Sequence, residues 1–370
     1  MRYLPVKQEL IKFISSYQAN QKIPSRKFIC NKWSISRRTA DKIIAELQRE
    51  GIVYCVKGSG TYISPQQFQV GNPADIAFRK RHWGIVIPDL FSANYTIVFS
   101  GIEAFTRSHN IDFVICQTFD DVDTEFALVQ REIASGVDGL IIVPAITTTE
   151  NFRNYQYIVR SGTPFVFWQR SVDYMLEIPQ LLLNGYYGGY IATKHLLDMG
   201  YQKIAYLAPK RFRSSMDRYM GYCAALSEAK AQTNLSWVQI GIPAGTGHEI
   251  AAAMLRSQDP PDAFVCFVDS LAIEVVQTIQ AMHLRVSDDI GVIGFEGVAT
   301  WMNQGFNFGL TYVDINCYES GYSASQALWD LMTQESPSIE TKIFTPKLVV
   351  RNTCCGKSQE TACPQKGENL

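Results

Sequence analysis

Val137-Asp138-Gly139-Leu140-Ile141-Ile142-Val143-Pro144 decides how most of the chain folds. No polar residue interrupts it from Leu140 to Val143, so a strand built from it is covered on both faces. Working outward, the pattern recurs. Trp83 to Ile87, ending in Pro88-Asp89, predicts a strand, and a helix follows through Gly101-Ile102-Glu103-Ala104. Phe113 to Cys116 predicts a second strand, Phe126 to Ala134 a helix, and Thr163 to Trp168 a fourth strand after another helix. The rhythm restarts at Gly188-Gly189, with strands at Ile204 to Leu207, near Val238 to Ile240, at Ala263 to Val268 and at Gly291 to Phe295. Apolar strands alternating with amphipathic helices predict parallel sheets, and two series predict two similar α/β lobes. Ligands in such sheets bind beyond the carboxyl ends of the strands, so a cleft with hinge closure is expected between the lobes.

Composition narrows the function classes. The 370 residues are 46% hydrophobic and 19% charged, which describes a globular chain of two or three domains. No apolar run reaches the roughly 18–20 residues of a membrane span. The N-terminus lacks the apolar core of an export signal, so a cytoplasmic protein is expected. The nine cysteines are odd in number and fit no zinc spacing, which predicts reduced thiols, mostly as buried filler. His82, His109, His195, His248 and His283 are isolated, and His195, beside Leu196 and Leu197, reads as structural. Phosphate-loop, dinucleotide-binding and nucleophile-elbow motifs are missing from the sequence. No enzyme activity, cofactor or metal is therefore expected.

Residues 1–66 differ in kind. Val6, Leu10, Phe13, Ile14 and Tyr17 form a helical apolar stripe. Ser25 can cap a second helix running to about Trp33, and Ser36 a third from Arg37 to Glu50, closed by Gly51. Ile43, Ile44 and Leu47 are its expected buried face, and Arg37, Arg38, Asp41 and Lys42 its exposed beginning. Strands at Ile52 to Val56 and Thr61 to Ser64 flank the turn Lys57-Gly58-Ser59-Gly60. Helix, turn, helix and a glycine-tipped hairpin predict an α+β winged helix-turn-helix. Its third helix can enter a major groove, with Arg37 and Arg38 reaching phosphates or guanine edges and Thr39 a phosphate or a thymine methyl. Charge agrees. Residues 1–70 hold 12 Lys and Arg against 4 Asp and Glu, and the remainder 22 against 31. A basic head on an acidic body suits a polyanionic partner. Residues 67–81 lose periodicity and read as a linker, ending in the basic run Arg79-Lys80-Arg81.

The stretches from Ile23 to Cys30, Ile35 to Ala40, Glu46 to Tyr54 and Gly58 to Ile63 resemble a GntR-type winged helix across the whole head. That resemblance implies DNA contacts at Lys27, Ser36, Arg37, Arg38, Thr39, Gly60 and Thr61. It departs at Ser59, where the family carries a wing arginine that Lys57 could replace, and at Arg26, where the family carries glutamate.

The body, from about Trp83 to Arg351, resembles the LacI/GalR sensor domain, which is itself similar to periplasmic binding proteins. The marks are Gly84 to Asp89, Ser100 to Glu103, Val137 to Ile141, Gly188-Gly189 with His195 to Tyr201, Arg218 to Tyr222, Leu284 to Ile290, Gly291 to Glu296 and Pro346 to Arg351. The resemblance implies a two-lobed periplasmic-binding-protein-like domain. It implies a ligand held by Arg218, Glu296 (where the family has aspartate), Asn94 and Tyr95. Trp168 and Arg170 at the fourth strand, with Asn184 and Asp269, complete the expected set. Val268-Asp269 departs from the family's Asn-Asp pair, and Asn184-Gly185 from its Asp-Asn pair. Together the two modules resemble arabinose-repressor-like transcription regulators.

The expected organisation is a winged helix over 1–66, a linker over 67–81, a two-lobed sensor over 82–355 and a disordered tail over 356–370. The expected function is a ligand-responsive, dimeric regulator of transcription. It would repress carbohydrate-utilisation genes by binding double-stranded operator DNA until a monosaccharide or derivative releases it. An activator of the same architecture and a cytosolic sugar receptor are the alternatives.

Overall fold

The computed structural model describes residues 3–14, 17–18, 20–49, 51–56, 59–64, 80–90, 94–145, 151–209, 213–298, 309–334 and 340–356. Most of the predicted linker, Lys57, Gly58, Cys363 and the tail beyond 356 lie outside these residues.

The head contains helices α1 (Tyr3–Ile14), α2 (Arg26–Trp33) and α3 (Arg37–Arg49) and an antiparallel hairpin of β1 (Val53–Val56) and β2 (Gly60–Ile63). Local sequence sets the boundaries. The Ser25 hydroxyl accepts from the Phe28 N–H, and the Ser36 hydroxyl accepts from the Thr39 N–H at 3.1 Å. Leu10, Ile29, Ile43, Ile44, Leu47 and Ile63 bury one shared core, each contributing roughly 1.5–3 kcal/mol by leaving water.

The body is two six-stranded α/β units. The first contains β3 (Arg81–Ile87), α4 (Asn94–Ser108), β4 (Ile111–Gln117), α5 (Val122–Ser135), β5 (Gly139–Ile142), α6 (Asn151–Ser161), β6 (Phe165–Gln169) and β7 (Gln180–Leu183). The second contains α7 (Gly185–Asp198), β8 (Ile204–Ala208), α8 (Arg213–Glu228), β9 (Val238–Ile240), α9 (Gly247–Leu255), β10 (Ala263–Cys266), α10 (Asp269–Ala281), β11 (Gly291–Phe295) and β12 (Thr311–Asp314). The chain then returns. Helix α11 (Cys317–Thr333) packs on α4, β13 (Lys342–Phe344) pairs with β7, and β14 (Lys347–Val349) pairs with β12. The strand orders are β13-β7-β6-β5-β3-β4 and β14-β12-β11-β10-β8-β9.

Both sheets are parallel except for β14, which runs antiparallel to β12. Four strands went unrecognised in the sequence: β7, β12, β13 and β14. They are three or four residues long, and each mixes buried with partly exposed positions or buries none fully, so their apolar signal is weak. The linker boundary also moves, because Arg81 already belongs to β3 and stacks on Trp329, while Lys80 pairs with Asp112.

Each lobe joins two helices through a glycine. A Cβ at Gly101 on α4 would lie 2.1 Å from the Tyr318 carbonyl oxygen on α11, and one at Gly189 on α7 would lie 1.9 Å from the Arg218 carbonyl oxygen on α8. Only a residue without a side chain permits such backbone contact. Gly189 thereby lets α8 approach closely enough to carry Arg218 into the space between the lobes.

Candidate functional site

The carboxyl ends of both sheets face a cavity of about 610 Å³. Six of the eight sequence-predicted ligand residues line it: Asn94, Tyr95, Trp168, Arg170, Arg218 and Glu296. Two are placed elsewhere. Asn184 caps α7 by accepting from the Tyr187 N–H at 2.9 Å. Asp269 opens α10 and is buried behind β11, its carboxylate facing Gly294. Both sit at helix starts, and of the two Asn184 caps its helix with its side chain.

Arg218 is 3% exposed. Its Nη1 donates to the Phe267 carbonyl, and its guanidinium lies 4.1 Å from the Phe267 ring centroid and 4.3 Å from that of Phe295. Planar stacking between two rings is a use of arginine that lysine cannot reproduce. Glu296 follows β11 with φ +93, a left-handed conformation seldom adopted by a side-chain-bearing residue and common at functional sites. Burial pushes its carboxyl up to about 8, against the opposing pull of Arg218. Asn94 Nδ2 donates to Glu296 Oε1 at 3.0 Å, joining the first lobe to the second across the cavity.

The aromatic wall is Tyr95 packed edge-on against Trp168, with centroids 6.0 Å apart. Burial also raises the Tyr95 hydroxyl, which stays protonated and donates to Gln169 Oε1 at 3.4 Å. Arg170 Nη1 donates to Asp120 and, at 2.8 Å, to the Pro144 carbonyl, so it braces two strand-end loops. Beneath that wall Glu125 accepts from the Ala145 N–H at 2.7 Å, and burial pushes its carboxyl up to about 7.

Around this cavity several buried polar atoms have no partner among the described residues: Asn94 Oδ1, Trp168 Nε1, Ser171 Oγ and Arg218 Nε. Each unsatisfied buried group costs about 1–3 kcal/mol. Their gathering at one cavity equips it to hold a molecule with several hydrogen-bonding groups. Sequence reasoning missed Asp89, Asp120, Asp173 and Asp217, which also line the cavity. The strand-end rule pointed to Asp89, since Pro88-Asp89 closes β3. Among the described residues there is no metal-holding cluster of His, Cys, Asp or Glu, and no helix long and apolar enough to cross a membrane.

On the head, Lys27, Ser36, Arg37 and Arg38 are exposed, and Gly60 lies at the hairpin with φ +138. Thr39 and Thr61 do not stand on that surface. Both are buried, with the Thr39 hydroxyl 2.8 Å from the Ser36 hydroxyl and that of Thr61 beside Cys55. Lys42 is half-buried rather than exposed, donating to the carbonyls of Leu331 and Met332. Lys57 lies outside the described residues.

Two facing, largely parallel sheets around one cavity define a periplasmic-binding-protein-like α/β body. Residues 193–354 match the family described as periplasmic binding protein-like domain. The chain is 26% identical over 369 residues to the arabinose metabolism transcriptional repressor of Geobacillus stearothermophilus, covering 95% of this chain and 97% of that protein. In fold it is similar to the transcription regulator CcpA of Lactococcus lactis, at TM-score 0.66 and 21% identity over 75% of this chain and all of that one. It is also similar to a LacI family regulator of Enterococcus faecium solved with bound ribose, at TM-score 0.64 and 21% identity over 74% and 98% of the two chains.

Proposed function

We propose that this protein is a ligand-responsive transcriptional repressor of carbohydrate-utilisation genes. In this reading a GntR-type winged helix over 1–66 binds operator DNA, and a sensor over 82–355 binds a monosaccharide or derivative between its lobes. The observation that carries it is the cavity itself: polar atoms of Asn94, Trp168 and Arg218, each without a partner, converge where the lobes meet. The near full-length match to an arabinose repressor supports joining that sensor to a DNA-binding head. The bound ribose of the Enterococcus regulator supports a sugar as the effector class.

The mechanism follows from the bridge. Asn94 and Glu296 already join across the cavity, so a sugar inserted there exchanges a direct contact for contacts of its own and resets the angle between lobes. A ligand shifts that equilibrium only by its difference in affinity for the two arrangements. In a homodimer, the change in angle alters the spacing of two heads and so their fit to paired half-sites.

The test is salt-dependent binding of the full chain to duplex DNA from upstream of its own gene, with and without arabinose, ribose and other aldoses. Expected are tight binding that weakens with salt, and release by at least one sugar. Absence of salt-dependent DNA binding would sink the proposal.

A further inference from the structure

Among the described residues, the cations of the head are used differently: Lys32 leans on the rings of Phe13, Phe28 and Trp33, and Lys42 donates to the carbonyls of Leu331 and Met332. Lys7 is paired with Glu46 and Arg26 with Asp41. Lys22, Lys27, Arg37 and Arg38 are exposed and pair with no carboxylate. The sequence pattern brought out three of these four, and Lys22 was not among them.

Lys22 lies in the connection between α1 and α2, but that connection is part of the hairpin. The Ile23 N–H donates to the Thr61 carbonyl and the Ile63 N–H to the Gln21 carbonyl, both at 2.9 Å, and Lys22 forms a bridge opposite Tyr62. Its side chain runs along a built track. The ammonium sits 6.0 Å from the Tyr62 ring centroid, and Cε fills the space beside Gly60, where a Cβ would lie 2.5 Å away. The ring it leans on is held in turn. Tyr62 stacks on Tyr54 with centroids 5.6 Å apart, the Tyr54 hydroxyl donates to Asn20 Oδ1, and the Tyr62 and Ser59 hydroxyls are 2.5 Å apart. Ser59 at the tip carries no charge. Lys22 brings the tip a cation from outside its own two strands.

We propose that Lys22 is a phosphate-contacting cation of the hairpin tip. It rests on the reading of the head as a duplex-DNA-binding unit and names a contact within it. An ammonium positioned this way meets backbone phosphate as a point charge, so it adds affinity without reading sequence.

The experiment uses the full chain and a duplex that it selects from a random-sequence pool, with affinity measured over a series of salt concentrations. For Lys22→Ala, the slope of log affinity against log salt should fall by about 0.9, the value for one lost phosphate contact. Affinity should drop alike on matched and mismatched duplexes. Lys22→Arg should keep the slope, and Ser59→Arg added to Lys22→Ala should restore it. The proposal is overturned if Lys22→Ala leaves the slope unchanged while Arg37→Ala lowers it, since DNA binding then stands without Lys22. It is equally overturned if affinity falls with the slope unchanged and the melting temperature falls too, which is a packing role. No salt dependence in the unaltered chain removes the DNA reading and this contact together.

Discussion

The cleft and the head surface handle charge in opposite ways. In the cleft, Arg218 is buried between two rings and Arg170 is tied to Asp120 and a carbonyl. On the head, Arg37, Arg38, Lys22 and Lys27 are exposed and pair with no carboxylate among the described residues. Buried groups act at short range in a medium that screens poorly, whereas exposed cations act through a field that salt weakens. One region is therefore built to fit a molecule, and the other to attract a polymer. Substitutions should separate along that line.

The largest effect is expected at Arg218. Arg218→Ala should cost about 2–5 kcal/mol of stability by emptying a packed site and abolish the thermal shift given by the active sugar. Arg218→Lys should keep the fold better yet still lose the response, because an ammonium cannot stack as the guanidinium does. A variant that still answers the sugar would show that the cleft does not depend on Arg218. Next is Gly189→Ala, which drives a methyl into the Arg218 carbonyl. Overpacking of this kind typically costs about 1–3 kcal/mol, and a melting curve with and without sugar should show both losses together.

On the head, Arg37→Ala with Arg38→Ala should leave the melting temperature and the sugar response intact. The salt slope of DNA binding should fall by about 1.8, for two lost phosphate contacts. An unchanged slope would break the contrast between the regions. A sharper test concerns ligand charge. Among the described residues, Asp89, Asp120, Asp173 and Asp217 line the cleft against Arg170 and Arg218, with Glu296 kept protonated by burial. Neutral aldoses should raise the melting temperature, and their phosphate esters should not.

The smallest effect is on pH dependence. The Glu296 carboxyl, pushed up to about 8 from its ordinary 4.5, keeps its proton in the folded chain where the unfolded chain has lost it. Its contribution to stability is present below about pH 4.5 and falls as pH rises through about 8. Glu125, pushed up to about 7, acts in the same direction. Glu296→Gln should therefore flatten the upper part of the decline, read as melting temperature between about pH 7 and 9.

Legibility in the sequence followed burial. Strands such as β5 and β8, buried at every position, announced themselves as unbroken apolar runs. The short strands β13 and β14, each with no more than one buried residue, did not. The family resemblance named Arg218, Glu296 and Asn94, and the fold brings all three to one cavity. It also named Asn184 and Asp269, which the fold sets at helix starts outside that cavity's lining. Pattern alone could not give the Asn94–Glu296 bridge, whose partners are 202 positions apart. The same holds for Lys22, which reaches the hairpin tip from a separate segment.

The returning path of the chain carries a consequence for synthesis. The first lobe needs α11 to cover α4 and β13 to complete its sheet, so it cannot finish until residue 344 has been made. The head needs nothing beyond residue 64 for its own core. A ribosome making this chain thus releases a foldable head nearly three hundred residues before the lobe that is to govern it. Until then the first lobe's sheet is unfinished, and the cavity of the cleft is not yet complete.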